Sequence, residues 1–276
     1  LPIFFLLAQR VLARDDGYHV KVFRSDIETP GLLEDNLVEC IAEDKKGNIW
    51  FGTDKGVYIL DKSDYSVHPM DQERLKNIPV MYLYATSDGY MWLSYRSILA
   101  KYDINGQLVK EYPLRNEYGR TTISGFCESR NHEIIISVWN GRVYHLDKEK
   151  DEFVPYPDKM RRQNPTVMVQ DNEQDYFWLA TWGDGVVRFD PSAPEDSMFV
   201  YSEIPVNAAG EEDGVILSLV QDDKLGYIWL TTGHDFMSLQ IQPDKTLKQL
   251  KFQTGLLPVN HMLVEVLKGR GCLWVS

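Results

Sequence analysis

Two tryptophans, Trp139 and Trp182, have polar neighbours of the kind that bind sugars. An indole ring stacks on the C–H face of a sugar, while amides, carboxylates and guanidinium groups bond to its hydroxyls. Comparable positions elsewhere in the chain add further side chains of these types. The predicted ligand contacts are Tyr95, Arg96, Trp139, Asn140, Trp182, Asp184, His234 and Asp235. Together these types favour recognition of an oligosaccharide. The alternative is structural, with the tryptophans packing across a rim and the polar residues solvated.

Other chemistry has less support in the sequence. His234 and Asp235 have the types of an acid and base pair, but adjacent residues of a strand or turn point apart. No serine or cysteine nucleophile motif accompanies them. Oxygen-bearing side chains fill residues 171–175, yet this segment lacks the glycine and the distant glutamate of a calcium loop and falls where a hairpin turn is expected. We therefore predict no catalytic residue, no metal ligand and no cofactor.

One short segment recurs along the chain and organises it. Its fullest form is GNIWFGT at residues 47–53, and its bulky residue returns every 42 to 51 residues, at Trp50, Trp92, Ile135, Trp178, Trp229 and Trp274. A period of about 40 to 50 residues built on short β-rich segments is typical of propeller blades. The five tryptophans of this series are therefore predicted to be structural, each filling the layer between consecutive blades.

Alternating apolar and polar residues divide each repeat into four strands joined by polar turns. We therefore predict an all-β chain that forms a β-propeller of four-stranded antiparallel blades. It has five complete repeats and a partial sixth. The whole chain is then expected to be a fragment of a seven-bladed ring. The repeats are expected at residues 32–73, 74–116, 117–161, 162–206, 207–254 and 255–276. Inserted loop residues around 191–196 and 208–213 explain the longest interval. In a propeller the loops between second and third strands open on one face, and this geometry groups the candidate residues.

The chain begins with an apolar run from Leu1 to Ala8, which charged residues 14–16 follow after a short gap. This composition predicts the remnant of a signal peptide over residues 1–17, and hence export. The alternative is a short buried strand. Residues 18–23 alternate and predict the outer strand of a blade completed elsewhere. The first residue is not Met and the last lies inside a repeat, which predicts a piece of a longer protein.

Composition narrows the choice of partners. The chain of 276 residues has 41 acidic and 29 basic side chains, for a net charge of -12. Duplex nucleic acid requires a basic footprint, so it is not an expected partner. The three cysteines are far apart and show no metal-binding spacing, which predicts small buried side chains rather than a disulfide. They are Cys40, Cys127 and Cys272.

The first repeat resembles the two-component regulator propeller repeat, whose signature is D-x-x-G-x-I-W-x-G-T-x-x-G-[VL]. Residues 37–61 read LVECIAEDKKGNIWFGTDKGVYILD. The second, fourth and fifth copies match less fully, the third has Ile135 in place of tryptophan, and the sixth is cut short. The resemblance covers nearly the whole chain after residue 17, mainly through spacing.

The resemblance implies the periplasmic sensor region of a hybrid two-component histidine kinase. Many such sensors respond to oligosaccharides and switch on polysaccharide-utilisation genes, and the full protein would be membrane-anchored and homodimeric. No stretch of about twenty apolar residues and no glycine-rich nucleotide loop occurs in the sequence. The kinase and its phosphotransfer are therefore expected outside this chain, which would not itself be an enzyme.

Two other functions stay open. One is a propeller lyase of the streptogramin-inactivating type, whose blades carry similar Gly-x-Ile-Trp strands. Such an enzyme needs a histidine, an acidic residue and a metal that converge on one face, and His234 and His261 are the histidines expected there. The other is a scaffold that binds protein rather than sugar.

Overall fold

The computed structural model describes residues 4–8, 11–15, 20–22, 37–116, 119–139, 142–156, 165–207, 209–222, 226–232, 235–250, 264–267 and 272–275. Two compact units divide the chain, and each is described by itself: unit 1 is Leu1–Ile123 and unit 2 is Ser124–Ser276. Apart from one short helix in each unit, the described residues form strands, turns and loops. The prediction of an all-β chain is confirmed.

Unit 1 holds a three-stranded sheet and two four-stranded sheets, which we call blades 1 and 2. The three-stranded sheet has the order β1 (Phe4–Ala8), β2 (Val11–Asp15) and β3 (Val20–Val22). Blade 1 contains β4 (Val38–Glu43), β5 (Ile49–Thr53), β6 (Gly56–Leu60) and β7 (Val67–Met70), and the helix α1 (Gln72–Leu75) follows it. Blade 2 contains β8 (Val80–Ala85), β9 (Met91–Tyr95), β10 (Ile98–Tyr102) and β11 (Leu108–Pro113), and a hairpin of β12 (Arg115–Asn116) and β13 (Gly119–Arg120) follows.

Unit 2 continues the pattern with blades 3 to 5. Blade 3 contains β14 (Ile123–Glu128), which starts at the unit boundary, β15 (Ile134–Val138), β16 (Val143–Asp147) and β17 (Glu152–Pro155). Blade 4 contains β18 (Pro165–Gln170), β19 (Phe177–Thr181), β20 (Val186–Phe189) and β21 (Phe199–Tyr201), with a 3-10 helix at Glu195–Ser197. Blade 5 contains β22 (Ile216–Gln221), β23 (Tyr227–Thr232), β24 (Phe236–Ile241) and β25 (Leu247–Leu250). A hairpin of β26 (Val264–Leu267) and β27 (Cys272–Val275) ends the unit.

Each blade is a meander in which the strands pair in chain order. Within unit 1, β4 packs against β8, and within unit 2, β18 packs against β22, so that the first strands of consecutive blades are neighbours. This is the packing that a propeller requires of its inner strands. The predicted β-propeller of four-stranded antiparallel blades is confirmed in five sheets.

Residues 1–17, where the sequence predicts the remnant of a signal peptide, contain a β-hairpin. β1 and β2 pair antiparallel from Phe4↔Asp15 to Ala8↔Val11, and β3 adds to the other side of β2. Of the strand predicted at residues 18–23, the structure describes Val20–Val22, which lies at the edge of its sheet and pairs with β2. An apolar run of this length has the composition of either a leader or a strand. The described part of the run, Phe4–Ala8, is a strand in the structure.

Two of the recurring tryptophans lie in the layer between consecutive blades. Trp50 is fully buried and packs with Val80 and Leu83 of blade 2. Trp178 is fully buried and packs with Ile216 and other apolar residues of blade 5. A bulky aromatic ring suits this position because two twisted sheets leave a wide apolar gap between them.

The other members of the series vary in their burial. Trp92 is buried and stacks on Tyr112 with a ring-centroid distance of 5.5 Å, and Ile135 is buried in the corresponding place of blade 3. Trp229 is only half-buried and lies parallel to the ring of Phe236 at 5.5 Å. Its assignment as a core residue therefore holds in part. Trp274 lies in β27, and its side chain is outside the described part of the structure.

A buried aspartate in the turn before the second strand supports the tryptophan. The Nε1–H of Trp50 donates to Oδ2 of Asp44 at 3.0 Å, and the Nε1–H of Trp178 donates to Oδ2 of Asp171 at 2.9 Å. The other oxygen of each carboxylate accepts backbone N–H groups of its own turn, such as Lys46 N–H at 2.8 Å. The aspartate of the repeat signature thus accepts hydrogen bonds from the indole N–H and from backbone N–H groups of the hairpin turn.

A β-bulge recurs at the second residue of the inner strand. The register shifts between Val38 and Cys40 in blade 1, and the same shift occurs in blades 2, 4 and 5. The bulged residues are Glu39, Met81, Thr166 and Leu217. A bulge adds local twist to a strand. Its position in each blade lies where the chain enters the sheet.

Candidate functional site

The loops between second and third strands share a threonine clasp. At the end of β19, Thr181 Oγ1 accepts the N–H of Asp184 at 2.9 Å and donates to the carbonyl of Gly185 at 2.9 Å. Thr53 makes the corresponding pair of bonds in blade 1, both at 3.0 Å. Thr232 accepts the N–H of Asp235 at 2.9 Å in blade 5. The threonine that ends the repeated segment therefore orders the loop that carries the candidate side chains.

In blade 4 this loop is also fastened to the chain that enters blade 5. The N–H groups of Gly183 and Gly185 donate to the carbonyl of Gly214 at 2.9 and 3.1 Å, and the backbone of Trp182 pairs with Val215. A Cβ on Gly214 would lie 2.4 Å from the carbonyl oxygen of Gly183, so only glycine permits this approach. The sequence gives no sign of the close approach of Gly183 and Gly214, because each is of a type that is ordinary in a loop.

The structure brings the two predicted tryptophans together in unit 2. The ring centroids of Trp139 and Trp182 are 5.8 Å apart, and the rings meet edge to face at 73°. Trp182 is 48% exposed and Trp139 is half-buried. Trp139 follows β15 and Trp182 follows β19, so loops of two blades supply the pair. Aromatic rings in this arrangement stabilise each other, and about half of the Trp182 residue stays exposed to solvent.

A buried carboxylate in the connection between blades 4 and 5 forms hydrogen bonds that hold this connection in place. Asp213 is 4% exposed, and it accepts the hydroxyl of Thr232 through Oδ2. Its own N–H donates to the carbonyl of Pro205 at 2.7 Å. Asp213 thus joins the connection between blades 4 and 5 to the end of β23. It lies in one of the predicted insertions, where no sequence pattern distinguishes a structural carboxylate from a solvated one.

The described surroundings of the two tryptophans are acidic. The segments that meet there are the loop after β19, the connection from blade 4 to blade 5 and the loop after β23. The described residues of these segments include the acids Asp184, Glu211, Glu212, Asp213 and Asp235. A negative surface repels anionic ligands and admits neutral or cationic ones.

Two predicted contacts, Tyr95 and Arg96, belong to unit 1. Tyr95 is buried, and its hydroxyl donates to Oε1 of Glu111. Burial raises the pKa of Tyr95, and the bond to Glu111 raises it further. This phenol is engaged within its own blade. Arg96 is exposed and has a left-handed backbone conformation, with φ of 55°.

The remaining candidates divide between described and undescribed residues. Asp184 and Asp235 are half-buried, each with its N–H bonded to the threonine of its own loop. Asn140, His234 and His261 lie outside the described residues.

The segment at residues 171–175 forms a hairpin turn. Oδ1 of Asp171 accepts the N–H groups of Glu173 and Gln174, and Oδ2 accepts Trp178 Nε1–H and Gln221 Nε2–H. The carboxylate is therefore occupied by donors from its own blade and from blade 5. Across the described ranges, no group of three or more His, Cys, Asp and Glu side chains is placed to hold a metal ion.

Cys40 and Cys127 are free thiols, and as residues Cys127 is buried while Cys40 is half-buried. Burial raises the pKa of Cys40 to about 12, and the thiol donates to the carbonyl of Val80 at 3.4 Å. Burial raises the pKa of Cys127 to about 11. Neither thiol has the thiolate character of a nucleophile.

Comparison with known proteins supports the repeat and the fold. Residues 32–55 match the family described as two component regulator propeller. No curated protein matches the sequence significantly. Within the described ranges, no helix has the length and apolar character that crossing a membrane requires.

Solved structures with this fold include sensors and enzymes. The extracellular domain of a putative hybrid two component system from B. thetaiotaomicron aligns with a TM-score of 0.65 and 16% identity, over 84% of this chain and 31% of that one. A second such domain from B. thetaiotaomicron aligns with a TM-score of 0.64 and 13% identity, over 99% of this chain and 44% of that one. Virginiamycin B lyase from Staphylococcus aureus aligns with a TM-score of 0.66 and 12% identity, over 88% of this chain and 78% of that one. At these identities the likeness shows the fold alone.

Proposed function

Because this chain is a propeller of the two-component regulator type, with the repeat matched at residues 32–55, we propose that it is the ligand-sensing part of a hybrid two-component sensor histidine kinase. In this proposal the propeller lies in the periplasm and does no chemistry itself. It binds an oligosaccharide, and a kinase elsewhere in a membrane-anchored homodimer responds. The genes controlled are those for polysaccharide use.

The comparisons support the sensor assignment through coverage as well as fold. The chain spans 31% and 44% of the two extracellular domains from B. thetaiotaomicron. A chain of this length is therefore one part of each of those domains. A binding propeller with its output in other domains is consistent with that proportion.

The observation that carries the ligand proposal is the Trp139 and Trp182 pair. The edge-to-face contact at 5.8 Å fixes both rings, and Trp182 stays 48% exposed although an indole of this size is usually covered. A rigid, exposed aromatic ring offers a stacking surface with little entropy to lose on binding. Carboxylates of the same loops would accept hydrogen bonds from the hydroxyls of the sugar.

Charge selects among the sugars. Asp184 lies in the same loop as Trp182, and Glu211 and Glu212 lie in the connection to which that loop is bonded through Gly214. These carboxylates repel uronic acids and sulfated sugars, whereas neutral sugars meet only hydrogen-bond acceptors. The proposed ligand of this site is therefore a neutral oligosaccharide.

A glycan array followed by calorimetry tests the proposal. Wild-type chain should bind a subset of neutral oligosaccharides, and Trp182→Ala and Trp139→Ala should each weaken binding by about tenfold, which corresponds to the loss of one stacking contact of about 1.4 kcal/mol. Val109→Ala is the matched control, since Val109 is 52% exposed on β11 in the other unit. Equal affinity in the wild type and both tryptophan variants would refute the site.

A lyase is the second candidate, because the chain aligns with 78% of virginiamycin B lyase. A structure of a catalytically inactive variant of that lyase holds quinupristin. Incubation of the present chain with quinupristin, with and without a divalent metal, distinguishes the two proposals. We expect the antibiotic to stay intact by mass spectrometry, and metal-dependent cleavage would favour the lyase instead.

A further inference from the structure

A cleft of about 730 Å³ opens between the outer parts of blades 4 and 5 in unit 2. Residues of β20 and β21 line one side, and the turn after β24 with the start of β25 lines the other. None of the predicted ligand contacts is among its lining residues. The volume lies in the range of small-ligand sites, which is about 300–1,000 Å³.

Arg188 forms one wall of this cleft. It pairs across the sheet with Trp178 and Val200, so its side chain projects from the face of blade 4 that packs on blade 5. The guanidinium carbon lies 5.4 Å from the ring centroid of Tyr176, a cation–π distance that holds the group in place. Within the described residues, its Nε–H is buried and has no hydrogen-bond acceptor. A ligand oxygen near this guanidinium would meet a preorganised donor group.

Two lysines complete the cationic lining. Lys245 lies in the turn after β24 with φ of 67°, and Lys248 is exposed on β25. In the part of the chain that the structure describes, Arg188, Lys245 and Lys248 make no ion pair, although Arg130 and Lys150 in the same unit each pair with an aspartate. The chain as a whole has a net charge of -12, whereas this cleft has three basic side chains that form no ion pair among the described residues, so the local charge is opposite in sign to that of the chain.

The acids of the cleft do not cancel this charge. Asp244 accepts the N–H and the hydroxyl of Thr246, at 3.0 and 2.6 Å, so its carboxylate is already engaged at the turn. Glu203 lies at the end nearer the connection to blade 5. Cations therefore outnumber acids along the lining by three to two.

The uncharged lining suits a sugar ring. Tyr201 and Leu247 supply aromatic and apolar surface, while Ser202 and Gln242 supply hydroxyl and amide groups. An aromatic face for C–H groups, short polar side chains for hydroxyls and a guanidinium for an acid group match the three parts of an acidic sugar. A simple inorganic anion would use only the last of these.

We propose that this cleft binds an acidic saccharide unit, in which a carboxylate or sulfate pairs with Arg188 and the two lysines. The shared chemistry is one anionic group on a hydroxylated ring, and a uronate and a sulfated sugar both provide it. The site is separate from the neutral-sugar site at Trp139 and Trp182, and it does not depend on the sensor proposal.

Calorimetric titration of the whole chain tests the cleft. The probes are a galacturonate disaccharide, a sulfated disaccharide, a neutral disaccharide of equal length and tetraglutamate. At least one acidic disaccharide should bind, with an affinity that falls as NaCl increases. Stronger binding of the galacturonate or of the sulfated probe identifies the anionic group. Binding of neither one would overturn the proposal, as would equal binding of the neutral probe or of tetraglutamate.

Variants locate the binding. Lys248→Gln and Lys245→Asn should each lower the affinity for the acidic disaccharide by about three- to tenfold. Asparagine is chosen at position 245 because it tolerates the left-handed backbone conformation there. Arg188→Gln should abolish the binding. If this variant does not fold, the two lysine variants still test the proposal. Lys148→Gln is the control, since it removes one exposed charge from the turn of blade 3 in the same unit. Unchanged affinity in both lysine variants would place the ligand elsewhere. Trp182→Ala should leave this titration unchanged, which separates it from the neutral-sugar site.

Discussion

Trp178 donates its indole N–H to Asp171 across the turn that joins the inner strand of blade 4 to the second strand, at 2.9 Å. Both side chains are buried, and Trp50 with Asp44 repeats the arrangement in blade 1. The bond ties the largest residue of the inter-blade layer to the geometry of a hairpin turn. A core residue and a turn residue therefore form one structural unit.

Asp171→Asn should destabilise the chain by about 1–3 kcal/mol, because an amide carries donors where the carboxylate accepted several N–H groups. Chemical denaturation followed by tryptophan fluorescence measures the change. Asp175→Asn is the control in the same turn, since that carboxylate is 76% exposed and should alter stability by less than about 0.5 kcal/mol. Equal effects at the two positions would show that Asp171 acts only through its charge.

Gly214→Ala should destabilise unit 2 by about 1–3 kcal/mol, because its Cβ would collide with the carbonyl oxygen of Gly183. The clash also displaces the loop that carries Trp182, so binding of a neutral glycan should weaken in parallel. Gly210→Asn is the control, since that residue has open space around it and asparagine tolerates its φ of 83°. Thermal unfolding and calorimetry report the two effects. A fully stable Gly214→Ala protein would contradict the close approach.

Thr181→Val keeps the shape of the side chain and removes the hydroxyl that clasps the loop after β19. Two hydrogen bonds are lost in a buried place, and we expect a cost of about 1–2 kcal/mol in stability. Sugar binding at Trp182 should weaken as well, since a looser loop loses more entropy on binding. Thr246→Val is the comparison, because this threonine bonds to Asp244 in an exposed turn. Similar losses in both variants would argue against a special role for the clasp.

The buried thiols predict a decline of stability at high pH. The folded pKa is about 12 for Cys40 and about 11 for Cys127, whereas an unfolded thiol ionises near 9.0. Between these values the unfolded state loses protons that the folded state keeps, so stability is full below pH 9 and falls as pH rises towards 11 and 12. Denaturation midpoints measured from pH 8 to 10.5 should fall less steeply in a Cys40→Ala, Cys127→Ala variant. Identical slopes would contradict the burial of these thiols.

Thiol labelling provides an independent check of that burial. In a Cys272→Ser background, the native chain should react slowly with a thiol reagent at pH 8 and rapidly once it is denatured. Rapid labelling of the native chain would mean that at least one thiol is accessible.

The blades were predictable from the sequence because the repeat encodes them locally. A strand pattern with polar turns recurs in each copy. The indole rings of Trp50 and Trp178 are large and apolar, so that burial requires a wide apolar layer, and both are fully buried. The third copy shows why the period mattered more than any residue: Ile135 occupies the same layer without an aromatic ring. Spacing therefore predicted a blade where the signature residue was absent.

The candidate site was predictable only in part. The tryptophan pair could be proposed because Trp139 and Trp182 follow equivalent strands of adjacent blades. The approach of Gly183 to Gly214 could not, because it joins residues from different blades and depends on backbone distance. The position of Tyr95 predicts a ligand contact, and in the structure its hydroxyl donates to Glu111. A sequence does not reveal which polar loop residue already has a partner.

The backbone pairing of Trp182 with Val215 has a mechanical consequence. Val215 directly precedes β22, the strand that packs against β18 of the blade before it. A ligand that displaced the backbone of Trp182 would therefore also displace the residue that leads into the innermost strand of the next blade, because the two backbones are paired. The loop that carries Trp182 and the inner strand of blade 5 are thus joined through the backbone itself, beside the packing of β18 on β22.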